Sequence, residues 1–238
     1  MLIHYEDEHI IVVQKPPKMP CQNDPTGDRS LVNEIEAKLN KKVKQHRRIN
    51  LHVVHRLDRP VGGLIVYAKT KEAAHGLSEQ FKDRTFDKSY LCVVDGEAES
   101  GDVQLVHHLK KKAGDNVSLV VHKNNEGAKE ARLTYRAIES VKIKRDTYTL
   151  VEVKLETGRH HQIRVQLSAA GLPLFGDTKY NPRYKRSRKW VQIALWSHKI
   201  SFMHPITNEA LTFTDWPTEE EPWTLFEEYT KAPKGSSS

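Results

Sequence analysis

One carboxylate stands out as able to do chemistry. Asp58 lies between two arginines in Val54-His55-Arg56-Leu57-Asp58-Arg59-Pro60-Val61-Gly62-Gly63. An opposite charge within about 4–6 Å favours the ionised carboxylate. In that state Asp58 can act as a nucleophile or a base, but not as an acid. Taken alone, the same residues also describe a surface ion pair beside a turn, which contributes little. Two further segments carry suitable groups. Lys88-Ser89-Tyr90 opens an apolar run with a ring that bears a hydroxyl, and Thr157-Gly158-Arg159-His160-His161-Gln162-Ile163-Arg164 gathers arginines and histidines behind a glycine. In local terms Tyr90 is a β-favouring aromatic at a strand start and Arg164 a helix arginine.

The histidines His52, His55, His160 and His161 invite a metal or ribonuclease reading. Adjacent positions on a helix point about 100° apart, so His160 and His161 do not chelate together there. No matching carboxylate cluster lies near them in the sequence, and no metal centre is expected.

Asp58 needs elements that hold it. Proline fixes φ and glycine permits tight turns, so Pro60 to Gly63 is expected to be a rigid turn, anchored by an apolar strand from Leu64 to Ala68. Ile10 to Val13 reads as a buried strand ended by Lys15-Pro16-Pro17. Ser30 caps a predicted helix to about Asn40, with Leu31, Ile35 and Leu39 on one stripe. Thr70 caps another, burying Ala73, Ala74, Leu77 and Phe81, in which Gly76 costs about 1 kcal/mol. Strands are expected at Tyr90–Val94 and Val117–Val121, and where Leu133, Tyr135 and Ala137, then Val151, Val153 and Leu155, alternate with polar residues. After Gly158 a third helix places Ile163, Leu167 and Ala170 on one face and His161, Arg164 and Ser168 on another, with Gly171 closing it. Runs of strands with few helices, rather than regular βαβ units, support an α+β mixture and argue against a doubly wound sheet.

Composition narrows the partners. The chain has 238 residues, a formal net charge of +7 and two cysteines, Cys21 and Cys92. Two cysteines give no disulfide framework. No apolar run approaches the ~18 residues of a membrane span, and the N-terminus lacks a signal-peptide pattern, so a cytoplasmic protein without a membrane partner is expected. The basic residues cluster: Lys41 to Arg48 includes Lys44 and Arg47, Arg183 to Lys189 includes Arg186 and Arg188, and Lys110–Lys112 and Lys142–Arg145 add shorter runs. Together they argue for phosphate contacts on a polyanion.

His55-Arg56-Leu57-Asp58, followed by Gly63 and an apolar strand, resembles the signature of the RluA-type pseudouridine synthases, H-R-L-D, two variable residues, Thr-Ser-Gly, then apolar residues. The resemblance runs on in order through Tyr5 to Pro16, Lys88-Ser89-Tyr90, the turn before Thr134-Tyr135-Arg136, Thr157 to Gln166, Pro173 to Tyr180 and the closing strands from Ile193 to Phe213. It implies a pseudouridine synthase fold, in which a mostly antiparallel mixed sheet forms two lobes with flanking helices and a central cleft. It implies one catalytic domain over 1–230, a disordered tail over 231–238, and no S4 domain ahead of Tyr5.

The implied activity is isomerisation of uridine to pseudouridine in structured RNA, rRNA or tRNA, by a monomer that needs no cofactor and does not act on DNA. By the resemblance, Asp58 is the nucleophile or base, Tyr90 packs against the target base and Arg164 positions Asp58. Arg56 fills the gap left by the flipped nucleotide. His55, Arg59, His161 and Gln162 join it in binding substrate, with Lys44, Arg47, Arg186 and Arg188 on flanking phosphates. The chain departs from the pattern at Lys18 (usually Gly), Val61-Gly62 (usually Thr-Ser), His160 (usually a small hydroxyl residue) and Gln166 (usually His). Two rivals remain: a relative that binds RNA without catalysis, and a basic ribonuclease using His160 or His161.

Overall fold

A computed structural model describes residues 1–42, 48–187, 191–217 and 219–227. The chain begins with β1 (Ile3–Glu6), β2 (Ile10–Lys15), α1 (Leu31–Leu39), β3 (His52–Val53), β4 (Gly62–Ala68) and α2 (Lys71–Asp83). It continues with β5 (Asp87–Asp95), β6 (Asp102–Lys111), β7 (Ser118–Val121), β8 (Lys129–Ile143) and β9 (Asp146–Leu155). It ends with α3 (Gln162–Ala169), the short α4 (Pro182–Lys185), β10 (Leu195–Met203) and β11 (Ala210–Thr214). These elements divide into two compact units, one of Met1–Lys88 with Ser197–Trp216 and one of Ser89–Trp196 with the chain from Pro217 onward.

In the first unit the strand order is β1-β2-β4-β10, with β11 on β10 and β3 on β4. β2 and β4 are antiparallel with Val12 opposite Val66, and all seven residues of β4 are buried. Burial on both faces explains why this strand reads as a continuous apolar run rather than an alternation. Ile10, Val12, Leu64, Val66, Ala68, Ala73, Leu77, Phe86, Ile200 and Phe202 form the core beneath it. Each large side chain so buried contributes about 1.5–3 kcal/mol.

Local signals set the helix ends. Ser30 closes a capping box with Asn33 at the start of α1. Thr70 Oγ1 accepts from the Ala73 N–H at 3.2 Å and starts α2. Ala73 and Leu77 are buried, whereas Ala74 and Phe81 pack from the partly buried margin. Gly76 has a tertiary reason to exist: a Cβ there would stand 2.8 Å from the Pro205 Cβ.

The turn after Asp58 sits earlier than the sequence suggests. The Val61 N–H donates to the Asp58 carbonyl at 2.9 Å, closing a turn over 58–61, and Gly62 and Gly63 already belong to β4. Gly63, at φ +105°, is required by close packing: its Cβ would fall 2.3 Å from the Ser197 carbonyl oxygen. A strand neighbour, rather than a turn, demands that glycine.

In the second unit the order is β5-β9-β8-β6-β7, antiparallel throughout. β8 and β9 form a long hairpin joined at Lys144-Arg145, with Lys144 in the left-handed region at φ 58°. α3 lies against β6 and β7. Gly171, at φ +81°, follows the C-cap Ala170, as its position in the sequence suggests. Among the described residues, no helix is long and apolar enough to cross a membrane.

Candidate active site

Asp58 lies in the loop between β3 and β4 and is half-buried. Its neighbours are fixed through their main chain. The Leu57 N–H donates to Cys21 Sγ at 3.2 Å, and the Cys21 thiol donates to the Leu57 carbonyl at 3.2 Å. On the other side, Lys15 Nζ donates to the Arg59 carbonyl at 3.0 Å, and also to those of Met19 (2.7 Å) and Pro16 (3.0 Å). Lys15 is fully buried. Burial pushes its pKa down to about 8; Arg59 adds to the shift, and Cys21 and Asp58 oppose it.

The residues around Asp58 face different tasks. Arg56 is exposed. Arg59 turns its guanidinium to the 18–28 loop, where Nε donates to the Lys18 carbonyl at 3.0 Å and Nη1 to Thr26 Oγ1 at 3.2 Å, and where it pairs with Asp28 and Asp24. His55 packs its ring against Phe81 and Phe86, at 5.1 and 5.6 Å between centroids, and its Nε2 accepts from the Val66 N–H at 3.1 Å. Burial, then the Lys88 charge, pushes His55 down to about 3, so it stays neutral. Its ring anchors the loop to β4.

The second unit carries the other candidates. Tyr90 is buried on β5, in register with Val153 of β9. Arg164 on α3 is 3 % exposed, and its Nε and Nη2 each donate to Asp177 at 2.8 Å. This is a two-point, charge-assisted pair, the strong form of such a contact. Asp177 is fully buried and its Oδ1 also accepts from the Lys179 and Tyr180 N–H groups, at 2.8 and 3.2 Å. The Arg164 guanidinium lies 5.2 Å from the Tyr180 ring centroid.

His161 is the N-cap of α3, in the left-handed region at φ 54°. It therefore lies before the helix face on which its spacing placed it. Its ring stacks on His160 at 3.8 Å, since neither residue is in a helix. Tyr180 Oη accepts from the Ser118 N–H at 2.6 Å and lies 2.9 Å from His161 Nδ1. Burial, then Arg164, pushes His161 down to about 2, so it is neutral and suited to accept there. His160 bonds Ser118 Oγ at 2.9 Å and Asn116 Oδ1 at 2.8 Å, tying the turn before α3 to the β6–β7 hairpin. Gln162 holds the same turn: its Oε1 accepts from Thr157 Oγ1 and the Arg159 N–H, and its Nε2 donates to the Arg132 carbonyl. Gln166 Nε2 donates to the Leu105 and Ala131 carbonyls.

Sequence reasoning missed two kinds of residue. Asp177 was read only as part of a tight loop, although an acid in Gly176-Asp177-x-x-Tyr180 was the available signal. Cys21 and Lys15 gave no signal beyond the Lys-Pro turn. Arg186 is exposed just after α4, whereas Lys44, Arg47 and Arg188 lie outside the described residues. An open cavity of about 510 Å³ is lined by Lys111, Lys112, Ala113, Gly114, Asp115 and Asn116 at the tip of the β6–β7 hairpin.

A family model described as RNA pseudouridylate synthase matches residues 9–169. The chain is 33 % identical over 214 residues to "Uncharacterized RNA pseudouridine synthase YlyB" of Bacillus subtilis, covering 89 % of this chain and 67 % of that protein. It is 32 % identical over 220 residues to "Ribosomal large subunit pseudouridine synthase D" of Zymomonas mobilis, with the same coverage. It is 29 % identical over 221 residues to "tRNA pseudouridine synthase C" of Vibrio parahaemolyticus, covering 88 % of this chain and 87 % of the relative. In fold it matches human RNA pseudouridylate synthase domain containing 1 with a TM-score of 0.71 at 22 % identity, over 90 % of this chain and 82 % of that one.

Proposed function

This chain belongs to the RNA pseudouridylate synthases of the RluA type, and from that membership we propose how its residues divide the work. The reaction is isomerisation of uridine in RNA. The N1–C1′ bond breaks, the base turns, a C5–C1′ bond forms, and the C5 proton leaves. Nothing is oxidised, reduced or hydrolysed, so no cofactor is required by the chemistry.

Asp58 is the group that acts at the ribose, by adding to C1′ or by taking the 2′ proton. The observation that carries this assignment is the loop itself. It leaves one carboxylate half-buried while the main chain at 57, 58 and 59 is bonded to Cys21, Val61 and Lys15. A reactive acid needs that kind of preorganisation. Tyr90 offers its ring to the freed base. Arg164, held by Asp177, is the guanidinium assigned to orienting Asp58, and Arg56 takes the place of the flipped nucleotide. His55, Arg59, His161 and Gln162 serve substrate binding through the loops they hold in place. Lys44, Arg47, Arg186 and Arg188 meet flanking phosphates.

The two units together serve as one catalytic domain over 1–230. The substrate is a stem-loop of rRNA or tRNA, the partner is RNA rather than DNA, and the working form is a monomer. The two buried free cysteines, Cys21 and Cys92, suit a reducing cytoplasm.

Transcribed RNA carrying tritium at uridine C5 tests the mechanism. Wild type releases tritium and leaves chain length unchanged; Asp58→Asn releases none while its thermal midpoint stays within a few degrees. Turnover by Asp58→Asn discards the assignment. Wild-type binding without release favours the non-catalytic rival, and shortened RNA favours the ribonuclease. Pseudouridine mapping of total RNA from cells with and without the gene identifies the substrate.

A further inference from the structure

We propose that Cys21 and Lys15 are positioning residues for catalysis, gripping the main chain on the two sides of Asp58 so that its carboxylate is delivered in one orientation. The inference rests on the reading of Asp58 as the reacting group. It adds two residues whose side chains lie beneath the loop.

The geometry is unusual for side chains. Cys21 Sγ both donates to and accepts from one residue, Leu57, at 3.2 Å in each direction. A thiol has one weak donor and weak acceptor capacity, and both are used here. It stands where a neighbouring strand would offer a carbonyl and an N–H. Burial raises the Cys21 pKa, which keeps the S–H donor in place. Cys21 is itself pinned: its carbonyl accepts from Tyr67 Oη at 2.8 Å, and Tyr67 is fully buried in β4. The grip on Leu57 therefore leads back to the centre of the sheet.

Lys15 works from the other side. It is the last residue of β2, and its ammonium has three protons. Those three meet three carbonyls, of Pro16, Met19 and Arg59. Burying an ammonium group is expensive. A loop that merely needed covering is served better by an apolar side chain. The cost is incurred one residue from the reactive acid, where the return is precision: misplacement by about 1 Å costs on the order of 10²-fold in rate.

Together Cys21 and Lys15 bond the Leu57 N–H and the carbonyls of Leu57 and Arg59, and the Asp58 carbonyl between them accepts from the Val61 N–H.

The test separates rate from binding. Single-turnover tritium release is measured at saturating enzyme, and RNA affinity by filter binding, with thermal midpoints alongside. Cys21→Ala is expected to slow release about 10- to 100-fold with affinity within about twofold, and Cys21→Ser, which can donate and accept at the same place, to recover most of the loss. A folded Cys21→Ala with wild-type rate overturns the proposal, as does a loss shared equally by rate and affinity that serine does not restore. Should Cys21→Ala fail to fold, Lys15→Met is judged on the same split. Asp58→Asn run in parallel keeps the two questions apart. If it still releases tritium, the reading of Asp58 fails; if it is silent while Cys21→Ala runs at full rate, only the grip fails.

Discussion

The loop bearing Asp58 and the helix bearing Arg164 solve opposite problems. In the first unit the carboxylate is half-buried, and Cys21 and Lys15 hold the main chain at Leu57 and Arg59. In the second the guanidinium is buried and gripped directly, two nitrogens to two oxygens of Asp177. One region fixes the backbone around a half-buried carboxylate; the other fixes the charged group itself. On the proposed assignment, mutations in the first act on chemistry and those in the second on the fold.

The sharpest way to break that contrast is at the buried pair. Asp177→Ala takes from the buried Arg164 its two-point carboxylate partner and is expected to cost about 3–5 kcal/mol in urea unfolding. Asp58→Ala, at the presented end of a loop held by other atoms, is expected to stay within about 1 kcal/mol of wild type. Equal losses would abolish the distinction.

Acid sharpens it next. His55 in the first unit and His161 at the N-cap of α3 both have folded pKa values well below the ordinary 6.5, at about 3 and about 2. Between those values and 6.5 the unfolded chain binds more protons, so stability is full above pH 6.5 and is lost as pH falls from there. The slope reaches at most about 1.4 kcal/mol per pH unit for each histidine. His55→Gln, which keeps an acceptor for the Val66 N–H, and His161→Asn should each flatten the urea midpoint against pH between 6.5 and 4. Unchanged slopes would mean that the rings are not held neutral.

The smallest effect belongs to the exposed Arg56. Arg56→Ala should leave the unfolding midpoint within about 0.5 kcal/mol, weaken RNA binding modestly, and reduce the salt slope of the affinity by about one. A large stability loss would place Arg56 with the buried set.

What the sequence revealed follows from range of interaction. Ser30, Thr70 and Gly171 act within a helical turn, and the predicted ends at those residues agree with α1, α2 and α3. The continuous apolar run of β4 was legible because both its faces are covered. Gly63 and Gly76 were misassigned locally, since the atoms that require them belong to Ser197 and Pro205, more than 120 residues away. β1 and β6 were not anticipated as strands; β6 alternates exposed with partly covered residues along most of its length. His161 illustrates the limit of periodicity: helical spacing assigned it a face, but a left-handed N-cap took it out of the helix. The acid in Gly176-Asp177-x-x-Tyr180 could be seen in the sequence, but its pairing with Arg164 could not, because that contact is set by packing rather than by pattern.

The first unit is written in two separated pieces of sequence, and β4 meets Ser197 only when the ribosome has supplied more than 120 further residues. At 5–20 residues per second that is an interval of roughly 6–25 s. During it the nascent chain holds an apolar strand without the neighbour that completes its sheet, and Ile200 and Phe202 are still missing from its core. Closure of this half thus awaits synthesis of the other, and in that window the newborn polypeptide exposes an apolar strand with an unpaired edge.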